Sequence, residues 1–92
     1  PVAAVHERIR QRFREPLTIK EFAAAAGISR EHLSREFRRR FGQAPASLLR
    51  QLRLREAREL LATGGGSLAT VARAVGFNDE RSLARLLKNL QS

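Results

Sequence analysis

The chain has no cysteine, methionine, tryptophan or tyrosine. Without cysteine it can build neither a disulfide framework nor a thiolate metal site. His6 and His32 stand far apart, with no carboxylate or histidine partner at ligand spacing. No metal and no cofactor are therefore expected. No apolar run approaches the ~20 residues of a membrane span and no signal peptide is visible, so no membrane partner is expected. No nucleophile–base pair or carboxylate pair occurs at usable spacing, which argues against an enzyme. Gly64, Gly65 and Gly66 are followed by Ser67-Leu68 rather than the Gly-Lys-Ser/Thr of a phosphate-cradling loop, so they read as a helix stop and hinge. The chain also lacks an initiator methionine, which suggests a processed chain or, as the favoured reading, a domain excised from a longer protein.

What remains is short and cationic. At 92 residues the chain is one domain, able to bury about 60–65 % of its unfolded surface. It carries 18 Lys+Arg against 9 Asp+Glu, a net charge of +9, and nearly all the cations are arginine. Such an excess implies a polyanionic partner. A merely solvated arginine-rich surface is the alternative for charge taken alone.

The stretch Thr18–Gly42 organises the rest. Thr18 and Glu21 form a capping box. Ile19, Phe22, Ala23 and Ala26 recur as one apolar helical stripe. Gly27 ends that helix, Ile28 follows as an apolar plug, and Ser29 caps the next helix. There Leu33, Phe37 and Phe41 sit four apart and bury on one side. Arg30, Glu31, Ser34, Arg35, Arg38 and Arg39 spread over the remainder. An apolar helix, a glycine turn and a basic helix make the plan of a helix-turn-helix DNA reader. The plan recurs. Thr18, Phe22, Ala23, Ala26 and Gly27 map onto Ser67, Val71, Ala72, Val75 and Gly76 about 49 residues downstream, with Ile28 on Phe77. After the turn the offset grows by one, so that Leu33, Arg35, Phe37 and Arg38 face Leu83, Arg85, Leu87 and Lys88.

Around these repeats, residues 3–13 read as a supporting helix with Val5, Ile9 and Phe13 inward. Its Arg8, Arg10, Arg12 and Arg14 read as a solvated face rather than as phosphate contacts. Pro45 suits the first turn of a long helix to about Ala62. In that helix Leu48, Leu49 and Leu52 serve the first half, and Ala57, Leu60 and Leu61 the second. Such a rod spans about 25 Å, which would bring two basic helices near the ~34 Å of one DNA turn. Asn78 or Asp79 caps the last helix, whose Leu83, Leu86, Leu87 and Leu90 point inward and whose Arg81, Arg85 and Lys88 point outward. The expected architecture is all-α: a first helix-turn-helix subdomain over 1–44, a linker helix over 45–63 and a second subdomain over 64–92. The basic helices fall at about 30–41 and about 79–90, in homeodomain-like units.

Residues 17–88 resemble the AraC/XylS-type bacterial transcription regulators. The features that carry the likeness are Leu17, the Ala23–Gly27 block, Ser29, Leu33-Ser34-Arg35, Phe37, Phe41-Gly42 with Pro45, Arg53-Leu54 with Ala57 and Leu60-Leu61, and Val71-Ala72 with Val75-Gly76-Phe77. The resemblance implies a seven-helix domain of two joined helix-turn-helix units, promoter binding, and a sensory, effector or dimerisation domain elsewhere in the full protein. The chain stops at Asn89-Leu90-Gln91-Ser92, before the family's final short helix, and Leu83, Leu86 and Leu87 replace its usual aromatics. By match to the family's base-reading positions, Glu31, Ser34 and Arg35 face base edges, with Arg81 and Arg85 on the corresponding face downstream. The Arg35 fork fits the O6/N7 edge of guanine. Glu31 either accepts from a cytosine amino group or pairs with Arg35 four residues on. Glu80 lies beside Arg81, and Ala84 is small enough to meet a thymine methyl. Arg30, Arg38, Arg39, Arg40 and Lys88 are phosphate candidates, as are the helix N-termini at Ser29 and Asn78. Leu33, Phe37, Val71 and Phe77 belong to the core.

The leading expectation is thus sequence-specific binding of double-stranded promoter DNA in the bacterial cytoplasm, on the nucleoid, with the two basic helices in successive major grooves. RNA polymerase is a further candidate partner. Two alternatives stand beside it. A helix-turn-helix scaffold can serve as a protein–protein module, for which Leu86, Leu87 and Leu90 supply the only apolar candidate patch. An arginine-rich bundle can bind RNA or anionic lipid without specificity, but five Phe at mostly core spacings give no stacking platform.

Overall fold

The computed structural model describes residues 2–91. Pro1 and Ser92, the chain ends on which the expectations of excision and of a missing final helix turn, lie outside them. Among the described residues six helices follow one another: α1 (Val2–Arg12), α2 (Ile19–Ala26), α3 (Arg30–Phe41), α4 (Pro45–Ala62), α5 (Leu68–Val75) and α6 (Glu80–Gln91). They divide into two compact units. The first comprises Pro1–Phe13 and Leu17–Arg50, the second Arg14–Pro16 and Gln51–Ser92. The division falls inside α4.

In the first unit α1 and α2 both pack on α3. The periodic apolar positions meet there: Ile9, Leu33 and Phe37 are wholly shielded, and Val5, Phe13, Phe22, Ala23, Leu48 and Leu49 are buried around them. Phe41 is only half-buried and stacks on the His6 ring, with centroids 4.1 Å apart. Ala26, expected on the buried stripe of α2, is exposed. It lies in the last turn of an eight-residue helix.

The second unit repeats the plan. Val71, Ala72, Val75, Phe77 and Leu83 form a core with Ala57 of α4, and Leu54, Leu60, Leu61, Leu68, Leu86 and Leu87 close its edges. Leu90, expected inward, is 54 % exposed. It sits in the final turn of α6, past the reach of that core.

Both helix pairs turn in the same way. Thr18 and Ser67 hold extended backbone, and their hydroxyls accept from the N–H groups of Glu21 and Thr70 at 3.2 Å in each case. The forward bond of the expected capping box at Thr18 is thus formed. At the far ends Gly27 (φ 72°) and Gly76 (φ 106°) adopt the left-handed conformation. Two crossing bonds close each turn. Gly27 N–H donates to the Ala24 carbonyl at 3.1 Å and Ile28 N–H to Ala23 at 3.0 Å. Gly76 N–H donates to Arg73 at 3.2 Å and Phe77 N–H to Ala72 at 2.9 Å. This is the Schellman arrangement, which satisfies carbonyls that the helix end would orphan.

The glycine run after α4 closes similarly, with Gly65 N–H donating to the Leu60 carbonyl at 2.7 Å. A Cβ on Gly65 would meet that same carbonyl oxygen at 2.9 Å. The run therefore stops α4, as the sequence suggested.

Two arginines tie Arg14–Pro16 to α4 within the second unit. Arg14 donates to Glu56 Oε1 at 2.6 Å, with its Nε 2.6 Å from Oε2. Arg53 donates to the Glu15 carbonyl at 2.8 Å, and its guanidinium lies 5.9 Å from the Phe77 ring centroid. Burial lowers the Arg53 pKa from its ordinary value, while the bond to Glu56 raises that of Arg14. Arg14, read as part of a solvated face, is thus an ion-pair partner.

The contrast along α6 is measurable. Leu83→Ala should cost about 2–5 kcal/mol in urea denaturation of the intact chain, the usual range for a leucine deleted from a packed core. Leu90→Ala should leave the transition midpoint almost unmoved.

Candidate nucleic-acid interface

α2 and α5 span eight residues each, and α3 and α6 twelve. The extra residue of the second repeat falls in the turn: Gly27-Ile28-Ser29 against Gly76-Phe77-Asn78-Asp79. Each position of α3 therefore corresponds to one of α6. At about 100° per residue, residues 31, 34, 35 and 38 of α3 fall on one stripe opposite the buried Leu33 and Phe37. Residues 81, 84, 85 and 88 of α6 repeat that stripe opposite Leu83 and Leu87. The first stripe reads Glu31, Ser34, Arg35, Arg38, and the second Arg81, Ala84, Arg85, Lys88. All are exposed except Ser34, which is half-buried.

In the first unit Glu31, Ser34, Arg35, Arg38 and Arg39 line a shallow concavity of about 430 Å³. All three base-reading candidates of α3 thus share one surface with two phosphate candidates. Arg35 Nη2 lies 3.2 Å from His32 Nδ1. Arg39 approaches Glu36 at 3.8 Å, a loose surface pair worth under ~1 kcal/mol. Arg30 is exposed at the edge of the stripe. Arg40, grouped with the phosphate candidates, projects from the other side of the helix, and its guanidinium lies 5.6 Å from the Phe41 ring centroid. Ser29 caps α3, its hydroxyl accepting from His32 N–H at 3.0 Å.

In the second unit Ala69, Arg73, Asn78, Asp79, Glu80 and Arg81 line a concavity of about 390 Å³. Ala84, Arg85 and Lys88 continue along α6 beyond it. Of the two cap candidates the structure selects Asp79. Its Oδ1 accepts from Ser82 N–H at 2.9 Å and from the Ser82 hydroxyl at 3.1 Å. These two bonds, the backbone one first, hold the Asp79 carboxyl below its ordinary pKa. Asn78 lies one residue earlier. An anion approaching the start of α6 meets a carboxylate already seated there, whereas the Ser29 hydroxyl adds no charge at the start of α3.

Arg73 was not among the candidates drawn from the sequence. Its counterpart in the first repeat is Ala24, so an arginine there breaks the repeat at an exposed position, and that break was the available signal. His32 was weighed with His6 only as a metal ligand, although it stands three residues before Arg35 on the same helix.

Comparison with known proteins bears on this surface. Residues 22–91 match a family model described as a helix-turn-helix domain. The chain is 35 % identical over 89 residues to the HTH-type transcriptional regulator GlxA of Rhizobium meliloti, covering 97 % of this chain and 28 % of that protein. It is 33 % identical over 73 residues to a putative AraC-like transcription regulator of Streptomyces antibioticus, covering 79 % of this chain and 24 % of that one. The chain thus spans roughly a quarter of the length of these relatives. Among solved structures it is similar to the DNA-binding domain of AdpA, a global transcriptional factor, in complex with a target DNA. That likeness has a TM-score of 0.85 at 30 % identity and covers 97 % of this chain and 80 % of that one. Among the described residues no helix is long and apolar enough to cross a membrane.

The Asp79 cap makes the start of α6 acid-sensitive. A carboxyl whose folded pKa is depressed contributes stability that is complete above its unfolded value, about 4. That contribution is lost as the pH falls through the lower folded value. Stability followed by thermal melts should therefore drop between pH 5 and pH 3, and Asp79→Asn should flatten part of that slope. An unchanged slope would mean that Asp79 is not the group involved.

Proposed function

The chain belongs to the AraC-type helix-turn-helix family, and from that premise we propose that it binds double-stranded promoter DNA sequence-specifically through α3 and α6. One observation carries the reading. Two twelve-residue helices, each set by a capped and glycine-turned predecessor, present stripes at matching positions, cationic in both and exposed but for the half-buried Ser34. A helix of this diameter fits the major groove, where base edges offer a distinct donor and acceptor pattern.

On this reading Glu31, Ser34 and Arg35 in the first unit, and Arg81, Ala84 and Arg85 in the second with Glu80 beside them, meet base edges. Arg30, Arg38, Arg39 and Lys88 hold phosphates, joined by the N–H groups after Ser29. Arg73 joins them from α5. Arg40 and Asn78 rank below these, the one off the stripe and the other preceding a carboxylate cap. The helix over 45–63 serves as the link between a first subdomain ending near residue 44 and a second beginning near 64, so that α3 and α6 enter successive major grooves. Regulation of transcription, contact with RNA polymerase, a sensory or dimerisation domain, and residence on the bacterial nucleoid are proposed for the longer protein. These rest on its relatives being transcription regulators.

A second reading, protein–protein docking, has one feature in its favour. Exposed Leu90 borders a concavity of about 560 Å³ with Gln51, Leu54, Arg55, Arg58, Glu59 and Ala62.

Selection of the chain against randomised duplexes at near-physiological salt tests the main reading. Two enriched blocks with centres about 10 base pairs apart are expected. Binding without enrichment would overturn it. With six or so phosphates neutralised, log affinity should fall against log salt with a slope of about −5, and a slope shallower than about −2 would leave the arginines facing solvent. Arg35→Ala should cost about 1–3 kcal/mol and relax preference at one base position. Arg38→Ala should weaken all sequences alike and reduce the slope by about 1.

A further inference from the structure

Arg35 has two neighbours within reach on its own helix. Glu31 stands four residues before it, the spacing at which a carboxylate and an arginine usually pair. His32 stands three before it. The structure shows the histidine contact, Arg35 Nη2 to His32 Nδ1 at 3.2 Å, and among the described residues Glu31 makes no ion pair. A guanidinium carries donors only, so this bond exists only while Nδ1 is unprotonated and the ring proton sits on Nε2. We propose that His32 is a positioning residue: its neutral imidazole holds Arg35 off Glu31 and so keeps both groups free for bases.

Protonation would turn Nδ1 into a donor and place a cation beside a cation. Arg35 would then swing to Glu31. The pair would occupy at once the donor meant for guanine and the acceptor meant for cytosine. Acid that protonates the ring should therefore lower sequence discrimination. On α3 itself the charged groups one turn beyond His32 are Arg35 and Glu36, and Glu36 is approached by Arg39 at 3.8 Å. The helices packed on α3 bring His6, Glu7, Arg8 and Arg10 on α1 and Lys20 and Glu21 on α2, while the side-chain bond shown for His32 is the one to Arg35.

The inference rests on the DNA-reading proposal and is tested so that the two can fail separately. The affinity ratio between a selected duplex and one altered at the base read by Arg35 is measured at pH 8 and at about pH 5.5. The wild-type ratio should fall roughly tenfold on acidification, within what one bidentate arginine–guanine contact can discriminate. His32→Gln supplies an acceptor that does not titrate and should hold the ratio at both pH values. Because His6 remains in that variant, such pH invariance also excludes His6 as the source. His32→Ala should show the low ratio at both. A wild-type ratio well above one but unchanged with pH overturns the positioning role and leaves the DNA reading intact. A ratio of one at pH 8 overturns both. Without DNA, ring ¹⁵N shifts should report the Nε2–H tautomer of His32 in the free chain and a shift toward Nδ1–H in Arg35→Ala. An unchanged tautomer ratio would also overturn the proposal.

Discussion

A left-handed glycine closed by two crossing hydrogen bonds sets the direction in which each cationic helix leaves its partner. At Gly27 and Gly76 the chain ends one helix, satisfies its last carbonyls and starts the next within three or four residues. A residue with a Cβ would pay a steric penalty at such a φ, so the turn is specified by the backbone before any side chain packs. The side chains then confirm the direction. Ile28 and Phe77 follow the glycines and turn inward, Phe77 into the core of Val71, Ala72, Val75 and Leu83. Everything exposed on α3 and α6 inherits its direction from that corner.

The two stripes are alike in position and unlike in chemistry. The first holds a carboxylate, a hydroxyl and two arginines, and the second three cations and a methyl group. A stripe with both donors and an acceptor offers hydrogen-bond partners that one with donors and a methyl group lacks. On the proposed reading the second stripe, with three cations, contributes more attraction for the phosphate backbone, which is indifferent to sequence. Charge is thus divided unequally between units of nearly the same backbone plan.

Much of this was legible in the sequence because the signals are local. Leu33, Phe37 and Leu83 recur at helical spacing, and Thr18, Ser29 and Ser67 sit three residues before the N–H groups they cap. Where legibility stopped, the cause was distance or competition. Arg14 and Arg53 find partners 42 and 38 residues away, and no periodicity encodes such pairs. Ala26 and Leu90 obey the apolar period but stand in the last turns of their helices, where no neighbour covers them. Asn78 and Asp79 are both good caps, and only the helix start decides between them. For Arg35 two local partners compete, and spacing rules alone favour the one that the structure leaves unpaired.

The one-residue difference between the repeats lies in a turn and not in a helix. Inside α3 or α6 an inserted residue would rotate every later side chain by about 100°, taking arginines off the stripe and leucines out of the core. Inside the turn it rotates nothing, since α6 begins afresh at its own cap. The repeat is therefore tolerant of length changes at its corners and brittle along its rods. Related chains should differ by gaps at the corners and by substitutions along the stripes, so that new operator preferences arise by exchange of side chains on an unaltered frame.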